Sequence, residues 1–168
     1  TAAEEAIPVL LALLRDKDPE MRRAGVAALG RIGPLAPEVL PALCRALEDG
    51  DVRVQKSAAE ALRGWGILAR DAIPVLVDAL KKEKNPEVGE SFAYALCQAD
   101  PTNKAGLAFF RDRMGAATPA ERAVGCPPQQ ALQGYAYCVY RVIRRNPAVA
   151  IELHDVLNKS VSIEPSTP

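Results

Sequence analysis

The sequence has 168 residues, of which 49% are hydrophobic and 25% are charged, and its 21 basic side chains balance 21 acidic ones. This length and composition are typical of one globular domain, and they argue against a disordered chain, a collagen-like chain and a strongly basic nucleic-acid-binding protein. Aromatic residues make up only 5%, so we expect a core of Ala, Leu, Val and Ile packed between helices.

The first hundred residues repeat themselves at intervals of 33 or 34 residues. Each unit has a proline and, further along, a side chain that can cap a helix. The prolines are Pro8, Pro41 and Pro74, and the capping side chains are Asp18, Asp51 and Asn85. Periods of this length are typical of proteins built from stacked helix pairs. We therefore predict three regular repeats, over residues 4–33, 34–66 and 67–100.

The first helix of each unit is predicted from apolar residues at helical spacing, such as Leu10, Leu11 and Leu14. The repeated proline falls after the predicted start of this helix, so we expect it to bend the helix. A short polar turn follows, and the capping side chain then begins the second helix. Pro19 and Pro86 stand at its first position, where a missing N–H costs nothing.

The second helix of each unit is predicted to bury one stripe of side chains and to end at a glycine. The predicted stripe of the first unit comprises Met21, Gly25, Ala28 and Ile32. The motifs Gly30-Arg-Ile-Gly33 and Arg63-Gly-Trp-Gly66 occupy the same place in two repeats. We interpret them as helix ends rather than phosphate-binding loops.

The repeat is most complete in the segment Leu13-Leu-Arg-Asp-Lys-Asp-Pro-Glu-Met-Arg-Arg-Ala-Gly-Val-Ala-Ala-Leu-Gly30. This segment resembles the HEAT family, in the short bacterial form that is related to the HEAT-like repeats of phycobilisome lyases, and the resemblance extends over residues 4–100. It implies an all-α fold, an α-solenoid in which about five antiparallel helix pairs form a right-handed superhelix. The family motif has an Arg after the Val or Met of the second helix. Arg22 matches it, whereas Gln55 and Gly89 do not.

The pattern weakens after residue 100. Asp100-Pro101 is expected to open another first helix that runs to Met114. Terminal repeats are often atypical because they close the core, and we predict two degenerate repeats and then a tail or linker. Their bounds are 101–128, 129–158 and 159–168, so that a single HEAT-like repeat domain covers residues 1–158.

The side chains that usually carry chemistry form no known motif in this sequence. Motifs for phosphate loops, dinucleotide binding, serine hydrolysis and zinc proteolysis are absent, so we predict that the protein is not an enzyme and has no cofactor. The cysteines lack metal-site spacing and His154 is the one histidine, so we predict free thiols and no metal site. The cysteines are Cys44, Cys97, Cys126 and Cys138.

The cellular location stays open at the level of sequence. Free thiols favour the cytoplasm. The sequence begins at Thr1 without a methionine or a signal segment, which we interpret as a fragment whose targeting signals can be missing. No run approaches the roughly 18 apolar residues of a membrane span, so we expect no membrane insertion. We expect the isolated domain to be a monomer.

The solvent-facing side of the second helices is the predicted interaction surface, because these helices usually line the concave face of a solenoid. The register places equivalent positions in rows, and one such row joins Gly30, Arg63 and Cys97. The predicted partner-binding residues of this face are Arg23, Lys56, Glu60, Arg63, Glu90 and Tyr94. A plain solvated face is the alternative.

Charge is distributed unevenly along the chain. Residues 1–100 carry 13 basic and 16 acidic side chains, whereas residues 101–146 carry 7 and 2. The excess of arginine either forms a basic patch or reflects favourable charge near helix C-termini. The members of this patch are Arg111, Arg113, Arg122, Arg141, Arg144 and Arg145.

We predict a non-catalytic scaffold for protein–protein interaction that binds another protein or a peptide. An accessory or chaperone-like subunit related to bilin lyases is an alternative that rests on the resemblance alone. A nucleic-acid-binding HEAT-like protein is a weaker alternative, because the predicted rows mix charges of both signs.

Overall fold

The computed structural model describes residues 2–34 and 36–115. Within these ranges the chain is helical and has no strand, which confirms the all-α prediction. The helices are α1 (Ala2–Leu13), α2 (Pro19–Ile32), α3 (Val39–Ala46), α4 (Val52–Trp65), a 3₁₀ helix (Gly66–Ala72), α5 (Ile73–Lys82), α6 (Pro86–Ala99) and α7 (Lys104–Gly115).

The chain divides into two compact units, residues 1–109 and 110–168. The first unit contains the three regular repeats, as the pairs α1–α2, α3–α4 and α5–α6. Of the second unit only the end of α7 lies in the described part of the chain. The single repeat domain over residues 1–158 and the two degenerate repeats therefore stay predictions.

The second helix of each pair begins at the capping residue that the sequence predicts. Asp18, Asp51 and Asn85 each accept a hydrogen bond from the backbone N–H two residues later, at 2.9, 2.8 and 3.0 Å. Pro19 and Pro86 stand at the first helical position, as expected. Each cap satisfies an N–H that has no partner within its helix, which fixes where α2, α4 and α6 start.

The turn before each of these helices contains a second repeated hydrogen bond. A carboxylate two residues before the cap accepts the N–H of the capping residue itself. These acceptors are Asp16, Asp49 and Glu83, at 2.8, 2.9 and 2.6 Å. The turn is thus built in the same way three times, with an acid at the first position and a capping side chain at the third.

Glycines end the second helices of the first two pairs. Gly33 (φ +85°) and Gly66 (φ +56°) are the C-caps of α2 and α4, and both have the positive φ that L-residues avoid. This confirms the helix-end interpretation of the two glycine motifs. Helix α6 ends differently, at Asp100, which has an extended backbone.

The expected proline bends are wrong for two of the three repeats. Pro41 and Pro74 lie in the first turn of α3 and α5, because these helices begin at Val39 and Ile73. A first-turn N–H needs no partner within the helix, so proline is tolerated there without a bend. Only Pro8 lies inside its helix, α1.

The second helices pack side by side, α2 against α4 and α4 against α6, whereas α1 and α3 touch at few positions. Gly30 permits the close approach of α2 and α4, because a Cβ built at this position would lie 2.5 Å from the Cβ of Ala61. Trp65 at the end of α4 donates its indole N–H to the Gly30 carbonyl at 2.8 Å. Apolar side chains between the helices are fully buried, among them Leu29, Leu62, Leu76 and Leu96.

The predicted inward stripe of α2 is wrong at Met21, which is 42% exposed. Its counterparts Val54 and Val88 are 1% and 0% exposed. Val54 lies beneath the cleft between α1 and α3, so the preceding helix pair covers it. Met21 belongs to the first described pair, α1–α2, so no earlier described pair covers it.

Helix α7 starts later than the sequence predicts. The side chain of Asn103 accepts the N–H groups of Ala105 and Gly106, so Asn103 begins the helix and Asp100-Pro101 does not. Asp100 instead ends α6 and binds Thr102 through its carboxylate. The remainder of the predicted degenerate repeats lies outside the described residues.

Candidate interaction surface

The solvent-facing side of α2, α4 and α6 holds the residues that the sequence predicts for partner binding. Arg23 of α2 is about half exposed, and Glu60 and Arg63 of α4 are exposed. The other three predicted residues are half-buried: Lys56, Glu90 and Tyr94. The close packing of the three second helices places these side chains on adjacent helices of one layer.

An ion-pair cluster joins the starts of α2 and α4. Glu20 accepts the guanidinium of Arg23 at 2.9 Å and also that of Arg53, which lies one repeat later. Arg53 in turn donates to the capping residue Asp51 at 2.9 Å. These hydrogen bonds lower the pKa of Asp51 to about 2 and raise that of Arg53. Arg23 is therefore already paired within the chain.

The junction between α4 and α6 is bridged in a similar way. The ammonium of Lys56 lies 3.3 Å from the carboxylate of Glu87. Both side chains are substantially solvated, so this pair contributes little to stability. It nevertheless gives Lys56 a partner, so Lys56 is a weaker candidate for a binding contact than its exposure suggests.

Arg53, Glu20 and Glu87 complete this surface but are missing from the sequence prediction. The signal for the first pair was present, because Glu20 and Arg53 occupy the same position in successive repeats. Equivalent positions of neighbouring second helices lie side by side, so opposite charges at one position are expected to pair. Lys56 and Glu87 are 31 residues apart, which is out of register, so this signal does not indicate their pairing.

Glu60, Arg63 and Glu90 have no hydrogen bond or ion pair within the described part of the chain. These three charges of the layer are therefore available to a partner. The row of Gly30, Arg63 and Cys97 is largely wrong as a surface row, because Gly30 lies at a helix contact and Cys97 is fully buried. Arg63 is the one member of that row that is exposed.

A different ion pair fixes the first two repeats to each other from within. The guanidinium of Arg22 contacts both carboxylate oxygens of Asp49 at 2.8 Å, Nε to Oδ2 and Nη2 to Oδ1. Its Nη1 donates to the carbonyls of Asp16 and Lys17 at 2.9 and 3.1 Å. The hydrogen bonds lower the pKa of Asp49 and raise that of Arg22. Neither group is free to bind a ligand.

The structure describes Cys44 and Cys97, and neither forms a disulfide with another described residue. Cys44 is half-buried, and burial raises the pKa of its thiol, while Cys97 is fully buried. A raised pKa lowers the thiolate population, so Cys44 is a poor nucleophile. The described residues contain no group of three or more metal-ligating side chains.

Several predicted residues cannot be placed on this surface. Arg111 and Arg113 belong to α7, but the structure does not describe their side chains. The other members of the basic patch, with Cys126, Cys138 and His154, lie outside the described residues. Among the helices that are described, none is long and apolar enough to cross a bilayer.

Residues 1–63 match the family model for HEAT repeats, a segment that contains α1 to α3 and most of α4. A search of curated proteins finds none that matches the chain. The repeated caps, the Arg22–Asp49 pair and the packing of successive second helices agree with the family match. Residues 1–63, which form the first two helix pairs, are therefore HEAT repeats.

Proposed function

We propose that this protein is a non-catalytic interaction module and that it binds another protein or a peptide through the exposed face of α2, α4 and α6. HEAT repeats generally mediate protein–protein interaction. The observation that carries the proposal is the packing of three second helices into one layer with unpaired charges at its surface. Binding by such a layer needs no catalytic residue.

The proposal includes a solenoid in which this layer is the inner, concave side. The second helices contact each other closely, while the first helices α1 and α3 touch at few positions. A stack whose two layers are spaced unequally curves toward the closer layer. The right-handed superhelix, the single domain over residues 1–158 and the monomeric state belong to the same proposal.

Within the layer, Glu60, Arg63 and Glu90 are the proposed primary contacts. Their charges lack intramolecular partners, so a partner gains interactions there without first breaking others. Tyr94, on α6, offers an aromatic side chain beside them, a residue type that is frequent in binding hot spots. Arg23 and Lys56 contribute less, because binding through them has to compete with Glu20 and Glu87.

Affinity capture with matched variants tests this proposal. The full chain, its Glu60→Arg/Arg63→Glu variant and its Arg70→Glu variant are used as baits, and the captured proteins are quantified. Arg70 is exposed but lies in the 3₁₀ helix, outside the layer. We expect the double variant to lose partners that the wild type and Arg70→Glu retain. Equal recovery by all three baits contradicts the proposal.

A further inference from the structure

A cleft of about 680 Å³ lies between α1 and α3, the first helices of the first two repeats, and Arg22 of α2 and Val54 of α4 also line it. Its volume lies within the range of ligand-binding pockets. Its lining includes apolar side chains from both first helices and charged side chains of both signs.

Small side chains stand on both walls of the cleft. Ala12 lines one wall, and Ala42 and Ala46 line the other. The Arg22–Asp49 pair lies at the cleft as well, and its two charges offset each other. The lining therefore combines an apolar surface with a neutralised ion pair.

Two arginines supply the unbalanced charge of this cleft. Arg15 of the turn after α1 and Arg45 of α3 are both exposed and both line it. Neither guanidinium has an ion pair or a hydrogen bond within the described residues. Glu38 is the single acid of the lining besides Asp49, so a net positive charge is left.

The next junction carries the opposite charges at the equivalent positions. Glu48 corresponds to Arg15, and Asp78 corresponds to Arg45, each 33 residues later. Both acids are neutralised by the chain's own lysines, Glu48 by Lys82 at 3.2 Å and Asp78 by Lys81 at 3.6 Å. The second junction thus satisfies its own charges, whereas the first leaves two cations without partners.

We propose that this cleft binds an acidic peptide segment, with an aliphatic side chain against the alanines and a carboxylate bound by Arg15 and Arg45. Guanidinium groups match carboxylates in geometry and charge, and such charge-assisted hydrogen bonds are the strong ones. None of the proposed contacts Glu60, Arg63 and Glu90 lines this cleft, so the protein would hold two partners, or two segments of one partner, at different sites.

Selection from a phage-displayed library of random heptapeptides tests this inference with the full chain as the target. Selected peptides are synthesised and titrated against the wild type, the Arg15→Glu/Arg45→Glu variant and the Arg70→Glu control. The substituted arginines are exposed and unpaired, so the variants should fold, and thermal unfolding checks that they do. A single-stranded oligonucleotide is titrated in parallel as a phosphate-bearing competitor.

We expect the selected peptides to combine acidic and aliphatic residues and to lose about tenfold or more in affinity in the double variant, with no loss in the control. Glu60→Arg/Arg63→Glu should leave this affinity unchanged, which separates this site from the proposed concave face. The inference is overturned if no acidic peptide is selected, if selected peptides bind the double variant equally well, or if only the oligonucleotide depends on Arg15 and Arg45.

Discussion

Arg22 of α2 binds both carboxylate oxygens of Asp49, the acid that also fixes the turn before α4. One guanidinium thereby ties the second helix of the first repeat to the turn of the second. Its remaining donors bind carbonyls of its own turn. Gln55 takes the place of Arg22 in the next repeat, so the junction between the second and third repeats lacks this arginine.

Replacing Arg22 by Gln, the residue of the next repeat, should lower the thermal midpoint of unfolding. The substitution leaves the half-buried Asp49 carboxylate without its two strongest hydrogen bonds. Arg31→Gln is the matched control, because Arg31 is exposed at the end of the same helix. Calorimetry of both variants checks this, and equal midpoints would show that the pair does not stabilise the fold.

Asp51→Asn should make the free energy of unfolding less sensitive to pH in the acidic range. The folded pKa of Asp51 is about 2, below the value of about 3.9 for an unpaired Asp. Its stabilisation is therefore present above about pH 4 and is lost as the pH falls from 4 towards 2. Asn keeps the helix cap, as Asn85 shows at α6, but it cannot titrate.

Urea unfolding of the wild type and Asp51→Asn from pH 6 to pH 2 measures this effect. The difference in the free energy of unfolding should be largest near neutral pH and should shrink as the medium becomes more acidic. A difference that stays constant across this range would mean that folding does not stabilise the ionised form of the Asp51 carboxylate.

Truncating the side chains of Met21 and Val54, which occupy equivalent positions, should have different effects on the free energy of unfolding. Val54→Ala should lower the free energy of unfolding by about 2 kcal/mol, because Val54 is fully buried. Met21→Ala should cost less than about 0.5 kcal/mol, because Met21 is 42% exposed. Chemical denaturation gives both values. A cost at Met21 as large as that at Val54 would place Met21 in a buried contact.

The contact between Gly30 and Ala61 has room for one β-carbon, which Ala61 already supplies. Gly30→Ala alone should destabilise the chain by about 1–3 kcal/mol, because the new methyl group would overlap that of Ala61. The swap Gly30→Ala/Ala61→Gly should recover much of this loss, since one β-carbon remains at the contact. Denaturant unfolding of the single and double variants tests it, and a swap no better than the single change would count against a direct clash.

The repeated features of the fold could be predicted from the sequence. Caps at Asp18, Asp51 and Asn85 and the ends at Gly33 and Gly66 depend on the local chemistry of single residues, which a sequence displays directly. Met21 could not be predicted as exposed, because its environment depends on whether another helix pair covers it rather than on its own helix.

The candidate surface could be predicted only in part, for a related reason. Position within a repeat indicates which side chains face solvent, and this identified Glu60 and Arg63. It does not indicate which charged side chains form ion pairs between helices. The pair of Lys56 and Glu87 is an example. The cleft between α1 and α3 depends on the spacing of two helices, and no residue pattern encodes that spacing directly.

Hydrogen exchange of the full chain, with and without a partner recovered by the wild type and lost by Glu60→Arg/Arg63→Glu, tests the proposed binding face most directly. Binding through the layer of second helices predicts protection concentrated in α4 and α6, with α3 and α5 unchanged. Protection confined to α3 and α5, with α4 and α6 exchanging as in the free chain, would contradict it.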